Sequence, residues 1–184
     1  MLRTGLFVLL PIGGAIGERI HAIQLRFDPK VAAAQRPHVT LAGSSGVGPI
    51  LPGPSVAELR AALSPVSETT PPLTLHFGRP HRYMQTDIIV LPLDSHGPLR
   101  TLHERIARSG LRFAPSRFPF SPHATLSLYR QLTPESERAL MSVRIDEPFV
   151  ADRIQVWKTN EPQPAKLLVE LELTGGKGLA QRPA

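Results

Sequence analysis

The chain has 184 residues, no cysteine and a formal net charge of +6. This length suits one ordinary domain with a buried core, and an apolar fraction of 41% argues against a disordered chain. The lack of cysteine excludes disulfides, thiolate nucleophiles and cysteine-ligated zinc, and it suits a reducing cytoplasm. The basic charge suits an anionic partner such as RNA or a phosphorylated metabolite, although a solvated basic surface is the simpler explanation of charge alone.

The amino terminus, MLRTGLFVLLPIGGAIGE, allows two interpretations. Its apolar run over residues 6–12 is short for a secretory leader and is interrupted by Pro11. We therefore expect a buried strand over residues 6–10 that ends in a turn. The alternative is a periplasmic protein whose leader is removed after about residue 17. No stretch of the sequence is long and apolar enough to span a bilayer.

The first half of the chain predicts two strands and two helices, beginning with the strand just described. Apolar residues then recur at helical spacing over residues 16–31, and Asp28-Pro29 is the expected place for a break in this helical region. Residues 38–42 have the pattern of a second strand. A loop rich in glycine and proline follows, and Ser55 with Glu58 has the spacing of a capping box that starts a second helix.

The second half of the chain predicts further strands separated by two helices. The strand patterns cover residues 73–77, 87–93, 123–129, 149–158 and 166–173. One helix runs through residues 99–106 and ends at Gly110, and a short one begins with Thr133 as N-cap and Pro134 as its first residue. We expect residues 175–184 to form a loose tail.

A weak internal repeat links the two halves. The segments FVLLPI and PHVTL frame the first helical region, and IIVLPL and PHATL frame the second in the same order. Strand, helix and strand with the same ending twice predict two similar lobes related by a pseudo-two-fold axis. Each copy of the phrase Pro-His-x-Thr-Leu then occupies the equivalent strand of its lobe.

The repeated phrase places two reactive side chain types on one face of each strand. Successive strand residues point to opposite faces, so His38 lies beside Thr40 and His123 lies beside Thr125. A lone strand histidine is more often structural than catalytic, but these two of the seven histidines share the same neighbours. Two imidazoles can act as acid and base near neutral pH, and threonine hydroxyls can donate to phosphate oxygens. Opposed lobes would then support in-line attack at phosphorus without a metal.

These residues give the chain a resemblance to a known family. The segments PHVTL and FPFSPHATL, and the order of strands and helices over residues 5–174, resemble the two-histidine (2H) phosphoesterases, which include bacterial RNA 2′,3′-cyclic phosphodiesterases of the 2′-5′ RNA ligase-like type. The resemblance implies an α+β fold as one bilobal domain over residues 1–174. Antiparallel sheets of two pseudo-symmetric lobes would line a central cleft, with the helices outside.

The resemblance also implies an activity and its residues. It implies metal-independent opening of 2′,3′-cyclic phosphates on RNA ends or small nucleotides to 2′-phosphates, with no cofactor. His38 and His123 would be the catalytic pair, with His123 as base and His38 as acid, while Thr40 and Thr125 bind the phosphate. We expect a cytoplasmic monomer. Many relatives carry HxTLAR, whereas HATLSLYR delays the basic residue here to Arg130.

Other residues are weaker candidates for substrate contacts. Tyr83 and Phe118 could stack on a nucleobase, although each is equally explained as a core or edge residue. Arg82, Arg117 and Arg130 could contact phosphate, although ordinary surface arginines are common. The remaining histidines have no spacing that indicates a zinc site, so we predict no metal.

The sequence is also compatible with two other functions. A non-catalytic RNA-binding module could use the same basic cleft to hold phosphates, although binding alone favours arginine and lysine over histidine. A 2′-5′ RNA ligase activity is the other alternative, since the resemblance includes ligase-like proteins. Salt-dependent RNA binding without turnover at any pH would favour the binding module.

Overall fold

The structure, a computed structural model, describes residues 4–160 and 163–176. These two ranges contain five helices and nine strands. Their order is β1 (Thr4–Pro11), α1 (Gly14–Phe27), α2 (Pro29–Ala34), β2 (His38–Ala42), α3 (Val56–Glu68), β3 (Leu73–Leu75), β4 (His81–Arg82), β5 (Ile89–Pro92), α4 (Gly97–Ala107), β6 (His123–Ser127), α5 (Pro134–Met141), β7 (Phe149–Ala151), β8 (Arg153–Asn160) and β9 (Gln163–Glu172).

The strands form antiparallel sheets that divide the molecule into two lobes. The first lobe contains a four-stranded sheet in the order β2-β1-β8-β9, and the second contains a three-stranded sheet in the order β4-β5-β6. A small sheet joins β3 to β7. This α+β architecture with antiparallel sheets confirms the predicted fold class. None of the helices in the described ranges is long and apolar enough to cross a membrane.

The strand pairing confirms the internal repeat. In the first lobe β1 pairs with β2 so that Pro11 lies opposite His38, and in the second β5 pairs with β6 so that Pro92 lies opposite His123. Each ladder then has a bulge directly after the threonine of the repeated phrase. The two lobes therefore share pairing, register and irregularity.

The helices cross between the lobes. Helix α1, from the first lobe, packs against β6, and α4, from the second, packs against β2. Gln24 of α1 donates from Nε2 to the Thr125 carbonyl at 2.8 Å, and the His103 imidazole of α4 bonds through Nδ1 to the Leu41 carbonyl at 2.7 Å. Strands β2 and β6 also lie against each other, so the two repeated phrases face a shared region.

One continuous cluster of buried apolar side chains supports both lobes. Leu10 and Leu41 from the first lobe and Leu91 and Leu126 from the second are fully buried within this cluster. The strand predicted near the amino terminus is confirmed as β1, which lies between β2 and β8 in its sheet. The predicted break in the first helical region is confirmed as the boundary between α1 and α2, where the Asp28 side chain caps α2.

Some predicted elements differ from the structure. The pattern over residues 149–158 predicted one strand, but the chain divides it at Asp152 between β7, which pairs with β3, and β8, which pairs with β1 and β9. The buried positions shift by one residue at the division, since Phe149 and Ala151 are buried in β7 whereas Ile154 and Val156 are buried in β8. The short strand β4 was not predicted.

The predicted loose tail over residues 175–184 is wrong at its first residue, because Gly175 is buried and its N–H donates to the Thr70 carbonyl at 2.9 Å. Residues 177–184 lie outside the described ranges.

Candidate active site

The two repeated phrases place equivalent side chains at the surface shared by β2 and β6. His38 and Thr40 are half-buried on one face of β2, while the alternating residues of the strand are fully buried. His123 and Thr125 repeat this arrangement on β6, with the same burial pattern along the strand. Both histidines therefore stand on an accessible face while the opposite face of each strand packs into the core, as the alternation predicted.

Each imidazole is oriented by an equivalent hydrogen bond to a backbone carbonyl. The Nδ1 atom of His38 lies 2.8 Å from the carbonyl of Arg36, and Nδ1 of His123 lies 2.8 Å from the carbonyl of Ser121. A carbonyl can only accept, so Nδ1 carries a proton in each ring. In the neutral histidine the lone pair is then on Nε2, which is the nitrogen that can take a proton during a reaction.

The proline of each phrase helps to place that carbonyl. Arg36 and Ser121 each precede a proline, and the residue before proline favours extended backbone. The proline carbonyl accepts a backbone hydrogen bond at 2.9 Å in both lobes, from Ile12 in the first and Leu93 in the second. The sequence Pro-His-x-Thr therefore encodes a local geometry as well as two functional groups.

Loop contacts join the strand ends of the two lobes. The Ser121 backbone N–H donates to Oγ of the buried Ser45 at 3.1 Å, and Gly46 N–H donates to the Phe118 carbonyl at 2.9 Å. Behind them the His103 ring stacks on Phe120 with their centroids 4.0 Å apart. Burial holds the pKa of His103 below its ordinary value of 6.5, so this imidazole is neutral at physiological pH.

A buried carboxylate fixes the turn that follows β6. Oδ2 of Asp28 accepts from the backbone N–H groups of Leu128 at 2.8 Å, Tyr129 at 2.7 Å and Arg130 at 3.3 Å. Burial raises the pKa of the Asp28 carboxyl, but backbone hydrogen bonds outweigh burial and hold it below its ordinary value of 3.8. Sequence reasoning missed this residue, because its only local signal was that of a helix break before Pro29.

Tyr83 lies directly against His123. Its hydroxyl is 3.2 Å from Nδ1 of His123, and the two rings meet edge to face with centroids 5.7 Å apart. Sequence reasoning proposed Tyr83 as a base-stacking residue, and the structure brings it to the catalytic candidate itself. Base stacking stays a prediction.

Arg82 is engaged by carboxylates of the protein. Its guanidinium pairs with Asp87 at 3.1 Å and with Glu137 of α5 at 2.8 Å, and its Nε donates to the Thr86 carbonyl at 2.7 Å. These contacts stabilise the turn that carries Tyr83 and connect it to α5. A contact between Arg82 and substrate stays a prediction.

The remaining predicted substrate contacts lie at the surface. Phe118 is 66% exposed, which suits a stacking residue, and Arg117 beside it is exposed as well. Arg130 is exposed, and its backbone is held by Asp28 at the end of the turn after β6. Their contacts with substrate stay predictions. Met84, which is 86% exposed next to Tyr83, is a surface apolar residue that sequence reasoning did not single out.

A separate cavity of about 650 Å³ lies at the start of α1, lined among others by Gly13, Gly14 and Arg153. Neither His38 nor His123 lines it. Among the described residues no group of three or more histidine, aspartate and glutamate side chains is placed to hold a metal ion. The predicted independence of metals needs a biochemical test.

The crossed lobes with paired His-x-Thr phrases define the chain as a 2H phosphoesterase-type protein. It belongs to the 2′-5′ RNA ligase superfamily, whose family model matches residues 13–163. The predicted resemblance is therefore confirmed at the level of the superfamily. No curated protein gives a significant match to the chain.

Solved structures are similar over nearly the whole chain. E. coli LigT complexed with 3′-AMP matches with a TM-score of 0.57 and 21% identity, covering 93% of this chain and 98% of LigT. LigT complexed with ATP matches with a TM-score of 0.58 and 18% identity, covering 95% and 99%. TT0787 of Thermus thermophilus matches with a TM-score of 0.57 and 12% identity, covering 93% and 98%. At these identities the similarity establishes the shared fold.

Proposed function

We propose that this protein is a metal-independent phosphodiesterase that opens 2′,3′-cyclic phosphates of RNA ends or small nucleotides to 2′-phosphates. The observation that carries the proposal is the matched orientation of His38 and His123, each of which uses Nδ1 for a backbone carbonyl. Nε2 of each ring then supplies the proton chemistry. Nucleotide-sized substrates agree with the 3′-AMP and ATP complexes of LigT, which shares the fold.

The proposed reaction is an in-line displacement at phosphorus. Nε2 of His123 takes a proton from water as the water oxygen attacks phosphorus, and the bond between phosphorus and O3′ breaks. His38 starts as an imidazolium and gives its Nε2 proton to O3′. The product is a 2′-phosphate with a 3′-hydroxyl, and exchange with solvent restores both imidazoles. Thr40 and Thr125 donate hydrogen bonds to the non-bridging phosphate oxygens as negative charge builds up.

The proposal is tested by turnover on 2′,3′-cyclic nucleotides and on an oligoribonucleotide with a cyclic-phosphate end. Assays in EDTA from about pH 5 to pH 9 should give a bell-shaped profile, since one histidine must be neutral and the other charged. His38→Ala and His123→Ala should each lower kcat by about 100-fold to 10,000-fold. His76→Ala, at an exposed position outside both phrases, should leave kcat unchanged.

Circular dichroism should give the same spectrum for all four proteins. A folded wild type without turnover on any of these substrates would contradict the proposal, and salt-dependent RNA binding would then favour a binding module. Joining of RNA ends in the same assay would instead support the ligase alternative, which the superfamily description makes worth testing. A cytoplasmic location and a monomeric state complete the proposal, and size-exclusion chromatography with light scattering tests the latter.

A further inference from the structure

We propose that Tyr83 is a positioning residue that holds His123 in its reactive orientation and stabilises its protonated form. The kinetic part of this inference rests on the proposed function, whereas its spectroscopic part does not. The contact is direct, because the phenol oxygen lies 3.2 Å from Nδ1 of His123. The sequence suggested base stacking or a core or edge position for this residue, and neither includes a contact with His123.

The direction of the hydrogen bond follows from the other partner of Nδ1. The Ser121 carbonyl, 2.8 Å away, can only accept, so the Nδ1 proton points toward it. The Tyr83 oxygen at 3.2 Å therefore acts as a second acceptor of the same N–H. Two oxygen acceptors at Nδ1 favour one tautomer and one ring orientation. They also place partial negative charge beside the ring, which stabilises the imidazolium that forms when Nε2 takes a proton.

The surrounding turn keeps the phenol in place. The Tyr83 carbonyl accepts from the Thr86 N–H at 3.2 Å and from the Thr86 hydroxyl at 2.8 Å, which closes the turn. Arg82 binds the Thr86 carbonyl and joins the turn to Asp87 and to Glu137 of α5. These contacts fix the backbone of the turn, so the Tyr83 side chain packs against the His123 ring instead of extending into solvent.

Besides His123, four charged or titratable side chains lie in or next to the turn that carries Tyr83. His81 meets the Tyr83 ring edge to face, with centroids 5.6 Å apart, and Arg82 is paired with the Asp87 and Glu137 carboxylates. Tyr83→Phe leaves all of these groups and the aromatic ring in place while removing the phenol oxygen. The variant therefore separates a hydrogen-bonding role from a stacking role.

The first test is an NMR titration of the histidine side chains in the wild type and in Tyr83→Phe, without substrate. The pKa of His123 should fall by about half a pH unit in the variant, because one acceptor of a charged N–H is lost. The pKa of His38 should stay unchanged and serves as the internal control. An unchanged pKa and unchanged nitrogen shifts of His123 would overturn the inference, whatever the enzyme activity.

The second test is kinetic and uses the best cyclic phosphate substrate. Tyr83→Phe should lower kcat by about threefold to tenfold with little change in KM, and the acidic limb of the pH profile should move to lower pH. A normal kcat in Tyr83→Phe with a raised KM in Tyr83→Leu would identify a stacking residue and overturn the inference. A shifted pKa of His123 in a protein without phosphodiesterase turnover would support the inference and contradict the proposed function.

Discussion

Replacing Asp28 with asparagine should lower the free energy of unfolding by about 3 kcal/mol. The Asp28 side chain is 1% exposed, and it has no access to water that could replace its hydrogen bonds. Three backbone N–H groups after β6 converge on Oδ2 at 2.7–3.3 Å, and the N–H of Val31 reaches Oδ1 at 3.3 Å. The substitution keeps almost the same shape but replaces one oxygen with an NH2 group.

The magnitude follows from counting donors. Asparagine offers one oxygen, so its NH2 group faces at least one backbone N–H in either orientation of the amide. A buried donor without an acceptor costs about 1–3 kcal/mol, and the remaining bonds lose their assistance from charge. For a domain of this size, about 3 kcal/mol corresponds to a fall in Tm of about 6–12 °C.

Thermal and urea denaturation of Asp28→Asn should be compared with Asp146→Asn, which changes an exposed aspartate. The pKa of Asp28 lies below its ordinary value of 3.8, so its carboxylate contributes stability above that pH. The contribution is lost as the pH falls through the lowered pKa. The gap in stability between wild type and Asp28→Asn should therefore narrow below about pH 4. Equal stability of Asp28→Asn and Asp146→Asn at pH 7 would refute this reasoning.

Two further predictions concern a glycine and the threonine pair. Gly46 has φ +71, and an added Cβ would collide with the buried histidine of α4, so Gly46→Ala should lower Tm by several degrees. Gly13→Ala, where the added Cβ meets open space, should leave Tm nearly unchanged, and equal Tm values would contradict the steric argument. Thr40→Val and Thr125→Val should each lower kcat/KM for a cyclic phosphate by about tenfold or more, since a hydrogen bond to a charged group is lost. Thr74→Val, at an exposed position of β3, should match the wild type in the same assay, and a normal kcat/KM in both motif variants would contradict phosphate binding.

The sequence predicted the parts of the fold that are encoded locally. The capping pair Ser55 and Glu58, the N-cap Thr133 and the strand alternation at His38 and His123 each involve residues a few positions apart. Local patterns sufficed there because the interacting residues are close together in the sequence.

Long-range partners account for what was missed. Asp28 binds the turn after β6, about 100 residues further along the chain, and nothing near it in sequence indicates those partners. Gln24 and His103 are buried polar residues for the same reason, since each serves a backbone carbonyl of the other lobe. Tyr83 was noticed as an aromatic residue, but its contact with His123 depends on how β4 pairs with β5.

The repeat extends beyond the two phrases. In each lobe the strand that carries the phrase pairs with a central strand, β1 or β5, and the other neighbour of that central strand, β8 or β4, is also equivalent. In the second lobe Tyr83 follows β4 and its N–H donates to the Ile88 carbonyl, one residue before β5. In the first lobe Trp157 of β8 lies opposite Phe7 of β1. Counting back from the prolines that face the two histidines, Phe7 and Ile88 occupy the same place in their lobes. Trp157 is therefore the counterpart of Tyr83.

This correspondence shows how a repeated fold can give two equivalent histidines different surroundings. His38 and His123 occupy equivalent positions on β2 and β6, and Nδ1 of each ring bonds to the carbonyl of the residue two positions before it. Tyr83 offers an oxygen that accepts from Nδ1 of His123, whereas the indole of Trp157 has only a donor, which it gives to Gln155 at 2.8 Å. Tyr83 therefore supplies His123 with a hydrogen-bond acceptor. Trp157, which stands at the equivalent position of the first lobe, has no acceptor atom in its indole.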